Sequence, residues 1–245
     1  MKNTINNITK FIADYVEGAH SKGVALGMSG GKDSLIVAKL CALALGKEKV
    51  FGLIMPNGPM ADRQIAEEHC KLLGIDYKIV DISASYSDVV QKTADTVGED
   101  SVTEVSLVNI APRLRMTYLY SIAASKNYLV ANTSNLSEIM IGYSTKWGDG
   151  VGDFAPIADL TKTEVCELGI ALGLPQKYVL KKPDDGLSGK TDEEKLGFSY
   201  DELDLFIRKG EKRENFEKIS RLYKINTHKR ANLPKYKTGL KNYFE

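Results

Sequence analysis

Three cysteines in 245 residues are too few and too scattered to organise a disulfide scaffold. Cys41, Cys70 and Cys166 are odd in number, and none belongs to a closely spaced pair that could bind zinc. Each lies in an amphipathic pattern and reads as a buried, inert thiol. No apolar run is long enough to cross a bilayer, and the opening MKNTINNITKFIADYVEGAH is polar and helix-periodic, without an apolar leader segment. The expectation is therefore a cytoplasmic protein that does not span a membrane. An excess of one charge sign is missing too: the net charge is +1, so there is no electrostatic case for nucleic acid, and any polyanion must be met locally.

What is present is ordinary for a globular protein, with 43% hydrophobic residues, enough for one full core. Short apolar runs alternate with longer helical patterns. Gly23 to Met28, Val50 to Met55, Tyr77 to Ile82 and Tyr128 to Ala131 read as strands, the first followed by a helix over Ser34 to Leu45 and the second by one from about Ala61 to Leu73. Strands apolar on both faces and separated by helices imply a doubly wound α/β parallel sheet, Rossmann-like, covered on both sides. Ligands of such sheets gather beyond the carboxyl ends of the strands, where strand order reverses. Three polar stretches, GMSGGKDS, MPNGPM and NTSNLSE, follow the first, second and fourth strands and converge on that edge.

GMSGGKDS (Gly27, Met28, Ser29, Gly30, Gly31, Lys32, Asp33, Ser34) is glycine-rich in the manner of a phosphate loop. It is not the Walker form, in which the hydroxyl residue directly follows the lysine, because Asp33 intervenes. Glycine lets backbone approach a phosphate, and the first N–H groups of the following helix are free to bind it. Ser29 and Ser34 add hydroxyls and Lys32 a mobile positive charge. A carboxylate beside a phosphate repels it unless a cation intervenes, so Asp33 suggests magnesium.

The S-G-G-x-D-S order resembles the N-type ATP pyrophosphatases. That resemblance implies ATP cleaved between its α and β phosphates, with a carboxylate or carbonyl of a second substrate adenylated. NIAPRLRMTYLY (109–120), TSNLSEIMIGYSTKWGDGVGDFAPIADLTKTEV (133–165), KTDEEKLGFSYDELD (190–204) and HKR (228–230) narrow it. In order and spacing they resemble the ammonia-dependent NAD synthetases across nearly the whole chain.

The resemblance implies that ATP sits on residues 27 to 34 and on Thr133 and Lys162, and that Asp33 and Glu138 hold Mg2+. It implies that Arg113, Lys146, Asp153, His228 and Lys229 contact deamido-NAD, which ammonia converts to NAD with release of AMP and pyrophosphate by way of an acyl-adenylate. Arg113 and Arg115 lie two apart and cannot share a helix face, so they have separate tasks. Pro112 departs from the family pattern and is acceptable if Asn109 caps the helix and the proline lies in its first turn. Asp149, in the glycine-rich stretch TKWGDGVGD, is a candidate to hold ammonium or take its proton, since the attacking species is neutral ammonia. Asp184 stands where a hydroxyl residue would contact ATP; Thr191 or Ser188 could replace that contact, or it is missing.

The expected organisation is a single domain over 1–245: an ATP-binding core at 1–180, a polar lid at 181–197 and an appended helical tail at 198–245 without a core of its own. No amidotransferase domain is expected, because only 26 residues precede the loop at Gly27, so free ammonia is the nitrogen source unless a separate glutaminase supplies it. A homodimer follows from the resemblance and from apolar residues on more than one face of the segment Leu107 to Ser125, which a central core helix would equally explain. Rival readings are another pyrophosphate-forming ligase or thiolase on this fold, and a nucleotide-binding module without catalysis.

Overall fold

The computed structural model describes residues 1–59, 62–181, 191–236 and 238. Four strands, β1 (Gly23–Gly27), β2 (Val50–Ile54), β3 (Asp76–Ile79) and β4 (Tyr128–Val130), form one parallel sheet in the order β3-β2-β1-β4. The helices are α1 (Lys2–Gly18), α2 (Lys32–Leu45), α3 (Arg63–Leu73), α4 (Ser83–Val97), α5 (Glu104–Val108), α6 (Ile110–Lys126), α7 (Leu136–Ile141) and α8 (Lys162–Ala171). They are followed by α9 (Gln176–Val179), α10 (Asp192–Leu196), α11 (Tyr200–Lys209), α12 (Phe216–Ile225) and α13 (Thr227–Arg230).

Alternation along the strands divides the core between two faces. Val24 and Leu26 of β1 pack with α1, α2, α3 and α8, while Ala25 faces the other way, with Phe51, Leu53 and Val130, toward Leu119 and Ala123 of α6. α2 is apolar all round: Leu35, Ile36, Val37, Ala38, Leu40 and Cys41 are fully buried. Burial of each Leu, Ile or Val among them contributes roughly 1.5–3 kcal/mol. The doubly wound reading is therefore correct in class.

Three local expectations need correction. The third strand begins at Asp76 and ends at Ile79, short of Ile82, and it is an edge strand whose residues are half-buried or exposed. Among the described residues it pairs with β2 alone, so its polar Asp76 and Lys78 are tolerated at the open edge. The Leu107 to Ser125 segment is broken at Asn109 into α5 and α6. Asn109 occupies the cap position without capping: its amide donates to the Val105 carbonyl (2.7 Å) and its Oδ1 accepts from the Thr145 hydroxyl (2.8 Å). Pro112 nonetheless falls in the first turn of α6, as expected. Finally, the carboxy-terminal third has a buried cluster of its own, in which Leu196, Phe198, Tyr200, Leu203 and Ile219 surround Ile141 of α7.

Sheet order decides where a site forms. β1 lies between β2 and β4, so chain leaving β1 and chain leaving β4 open a crevice at the reversal point. The sheet continues past β4 as a bridge from Ala131 to Phe154, which brings residues 149–154 to the same edge.

Candidate active site

Gly31, in extended conformation, precedes the first turn of α2, and Asp33 is the second residue of that helix. Gly30 has φ +84°, and a Cβ there would stand 2.7 Å from the Asp62 carbonyl oxygen, so both backbone shape and space require glycine. The loop is braced internally: Ser29 Oγ accepts from the Gly31 N–H (3.2 Å) and lies 3.3 Å from Ser34 Oγ, which donates to the Gly31 carbonyl (2.9 Å). Gly27 ends β1, and Met28, buried in the core, pairs its N–H with the Leu53 carbonyl at 2.7 Å.

Lys32 departs from its expected place. Its side chain is turned inward, with the residue 8% exposed and the ammonium 3.4 Å from Cys166 Sγ, instead of standing free at the loop. The cation presented at this edge comes from elsewhere. Lys162, first residue of α8, places Nζ 2.8 Å from Asp33 Oδ2 and 2.7 Å from Glu138 Oε1. The Lys162 side chain is 6% exposed, those of Asp33 and Glu138 18% and 17%. Burial disfavours the ammonium, but Asp33 and Glu138 outweigh it and hold its pKa well above the ordinary lysine value. Burial pushes the Glu138 carboxyl upward, with Asp33 adding to the shift and Lys162 opposing it.

Glu138 is set by a capping box: Asn135 at the head of α7 accepts from the Glu138 N–H (3.1 Å), and Glu138 Oε2 accepts from the Asn135 N–H (3.4 Å). α8 opens likewise, through Thr161 and Glu164. The two carboxylates therefore come from helix first turns, where the dipole favours them, and the lysine's charge at a helix start is carried by its acidic partners. Asp33 Oδ1 is buried with no partner among the described residues. A buried carboxylate oxygen without a donor beside a second carboxylate is a chemical fit for a hard divalent cation. Among the described residues there is no cluster of three or more histidine, cysteine or acidic side chains of metal-binding type, so water or ligand oxygens would complete any coordination.

A second group assembles beyond β4. Asn132 donates to the carbonyls of Asp149 (3.0 Å) and Val151 (2.9 Å), pinning the 149–152 loop. Asp149 Oδ1 accepts from the Thr145 N–H (2.7 Å). The residue is exposed overall, yet protein around its carboxyl raises its pKa, an effect opposed by the Thr145 N–H and by Lys229 and Arg115. Asp153 is committed to the fold: its carboxylate accepts from the Val130 N–H (2.7 Å) and the Tyr120 hydroxyl (3.3 Å). Exposed Arg113 donates to the Lys146 carbonyl at 3.2 Å, whereas half-buried Arg115 donates to Met55 O at 3.0 Å, so the pair has separate tasks. Lys146 is half-buried, its ammonium 5.5 Å from the Trp147 ring centroid. Thr133 is half-buried between β4 and α7.

The carboxy-terminal segment closes this side. Lys229 donates to the carbonyls of Gly142 (2.8 Å) and Ser144 (2.7 Å), Arg230 to Met140 (2.8 Å) and Asn226 to Ile141 (2.9 Å). These donors satisfy the open carbonyl end of α7. Lys229 thus serves the fold in this structure, burial lowering its pKa against the pull of Asp149, while His228 is exposed. Lys229 and Arg230, with Asn132, Ser134, Gly152 and Ala155, border a cleft of about 370 Å³. Thr191 spends its hydroxyl in the capping box of α10 with Glu194, and Asp184 and Ser188 lie outside the described residues, as does most of the expected lid.

Sequence reasoning missed Ser137 and Asp204, which hold the start of α8 at the base of Lys162, and Tyr200, whose ring centroid lies 5.2 Å from the Lys162 ammonium. Their only sequence signal was position within the 133–165 and 190–204 signatures. No helix among the described residues is long and apolar enough to cross a membrane.

Residues 4–236 match the family model described as NAD synthase. The chain is 44% identical over 239 residues to an NH(3)-dependent NAD(+) synthetase of Archaeoglobus fulgidus, covering 94% of each chain. Among solved structures it resembles NMN synthetase from Francisella tularensis (TM-score 0.86, 32% identity, 96% and 98% covered). It also resembles NH3-dependent NAD synthetase from Campylobacter jejuni (TM-score 0.78, 31% identity, 96% and 98% covered).

Proposed function

The chain belongs to the NAD synthase family, and we propose that it amidates deamido-NAD with free ammonia, consuming ATP and releasing AMP and pyrophosphate. What supports this most is the buried Asp33–Lys162–Glu138 cluster at the reversal point of the sheet, beside a glycine-shaped loop. A passive nucleotide binder has no use for two carboxylates and a lysine in that arrangement.

The loop from Gly27 to Ser34 holds the β and γ phosphates through backbone N–H groups and the Ser29 and Ser34 hydroxyls. The substrate carboxylate oxygen attacks the α phosphorus, the α–β anhydride breaks, and pyrophosphate leaves. Lys162 meets charge developing on the phosphoryl oxygens. Asp33 and Glu138 would hold magnesium, which when bound would screen the phosphates and reconcile them with the two carboxylates. Ammonia then attacks the activated carbonyl and AMP departs with the bonding pair. Asp149, with its raised pKa, takes the proton that the nitrogen sheds. Thr133 contacts ATP, and Arg113, Lys146, Asp153, His228 and Lys229 contact the dinucleotide. For Asp153 and Lys229 this requires sharing side chains already bonded to the protein. A homodimer in the cytoplasm completes the proposal.

A second reading takes a shorter acceptor, the mononucleotide whose amide is NMN, and is favoured by the likeness to the Francisella fold. One assay separates the readings: the purified chain receives ATP, magnesium, ¹⁵N-ammonium and either acceptor. Labelled NAD with stoichiometric AMP and pyrophosphate is expected from the dinucleotide. Labelled NMN instead would transfer the proposal to the shorter substrate, and ADP with orthophosphate, or no turnover, would overturn both.

A further inference from the structure

We propose that the face of α11 formed by Tyr200 and Asp204 positions Lys162 against Asp33 and Glu138, making the carboxy-terminal helices part of the reacting centre's support. This rests on the reading of Lys162 as a group that meets the phosphates. The two residues lie one helical turn apart and point the same way. α11 packs on both α7 and α8, the helices that carry Glu138 and Lys162.

The first N–H groups of any helix lack partners within it. At the head of α8 each finds one in a different place. The Lys162 N–H donates to Ser137 Oγ at 2.9 Å, the Thr163 N–H to Asp204 Oδ2 at 2.8 Å, and the Glu164 N–H to Thr161 Oγ1 at 3.4 Å. Asp204 also accepts from the Thr163 hydroxyl (2.6 Å), and its other oxygen accepts a short hydrogen bond from the Ser137 hydroxyl. Ser137 adjoins Glu138 in the first turn of α7. One carboxylate, 6% exposed, therefore clamps the two helix starts from which Lys162 and Glu138 project. At the other end of the lysine, the Tyr200 ring centroid lies 5.2 Å from Nζ, close enough to favour the ammonium.

Neither side chain touches substrate in this scheme; both are positioning residues. Their effect is on where the ammonium stands, and misplacement by about 1 Å costs on the order of 100-fold in rate. A merely structural role would lower stability without singling out turnover. Glu202, on the same helix and also buried, supplies the control: its carboxylate accepts from the Asn215 N–H (2.7 Å) and side-chain amide (3.0 Å), away from the hydrogen bonds that hold the start of α8.

The test compares Asp204→Asn with Glu202→Gln in the full chain, measuring kcat, KM for ATP, melting temperature and amide hydrogen exchange at Lys162 and Thr163. Asp204→Asn is expected to lower kcat by roughly tenfold or more, with little change in KM and faster exchange at those two amides. Glu202→Gln is expected to lower the melting point comparably while kcat holds. Should Asp204→Asn fail to fold, Ser137→Ala breaks the same relay with a smaller lesion and is expected to show the same split. Tyr200→Leu is expected to lower kcat and Tyr200→Phe, which keeps the ring, to recover most of it. Unchanged kcat in Asp204→Asn, or losses in both carboxylate variants that merely follow melting temperature, would overturn the positioning role. An inactive wild type would instead sink the proposed reaction, with the exchange measurement still reporting on the clamp.

Discussion

Replacing Lys162 by methionine keeps most of the side chain's volume and removes only the charge. In the wild type the ammonium lies 2.8 Å and 2.7 Å from two carboxylates whose side chains are less than one-fifth exposed. Without it Asp33 and Glu138 face each other unpaired in a poorly solvated site. Removing one partner of a buried ion pair costs about 3–5 kcal/mol, and here two acids are stranded at once. For a chain of this size each kcal/mol moves the melting point by about 2–4 °C, so a fall of roughly 10 °C is expected at pH 8. The sign with pH follows from linkage. Stranded carboxyls have native pKa values raised above those of the unfolded chain, so the native state binds the additional proton and the deficit shrinks as pH falls from 8 toward 5. A second substitution, Glu138→Gln, is expected to restore part of the loss. Thermal melts of both variants across pH decide the matter. A Lys162→Met protein melting within about 2 °C of wild type at pH 8, or with a deficit that does not shrink on acidification, refutes the reasoning.

His69 is fully buried, stacks edge-on against Tyr178 with centroids 4.5 Å apart, and has no hydrogen-bond partner at either nitrogen among the described residues. Burial depresses its pKa from about 6.5 to about 4, so the unfolded chain binds the extra proton between those values. Roughly 3 kcal/mol of stability is therefore lost as pH falls through that window, and His69→Leu should flatten this part of a urea-denaturation pH profile. Burial pushes the Cys41 and Cys70 thiols up to about 12, so iodoacetamide at pH 8 should label half-buried Cys166 in the native protein and all three thiols only after unfolding, read by peptide mass. Gly30→Ala would set a Cβ 2.7 Å from the Asp62 carbonyl at φ +84°, and isothermal titration should show ATP binding weakened by at least about tenfold while the fold survives.

The strand and helix rhythm of this chain, its glycine loop and capping signals such as Asn135 to Glu138, Thr161 to Glu164 and Thr191 to Glu194 are all local facts. Side-chain periodicity and cap chemistry act within a few residues, so they are legible in the order of amino acids itself. Sequence pattern also led to the family, and through that resemblance to Asp33 and Glu138 as a magnesium pair, without foreseeing that Lys162 stands between them. What no local rule could supply was the distance between residues far apart in the chain. Lys162 meets Asp33 across 129 positions and Asp204 meets Ser137 across 67, and both encounters depend on the strand order β3-β2-β1-β4 and on α11 folding back over α7 and α8. The same dependence turned Lys32 inward to Cys166 and left β3 at an edge, because which neighbour covers a face is settled by packing of the whole chain. Sequence alone determined the α/β class and the chemistry available at the loop; tertiary packing decided which cation that loop's aspartate would meet, because an ammonium and a carboxylate attract strongly only once folding has brought them together and removed the water between them.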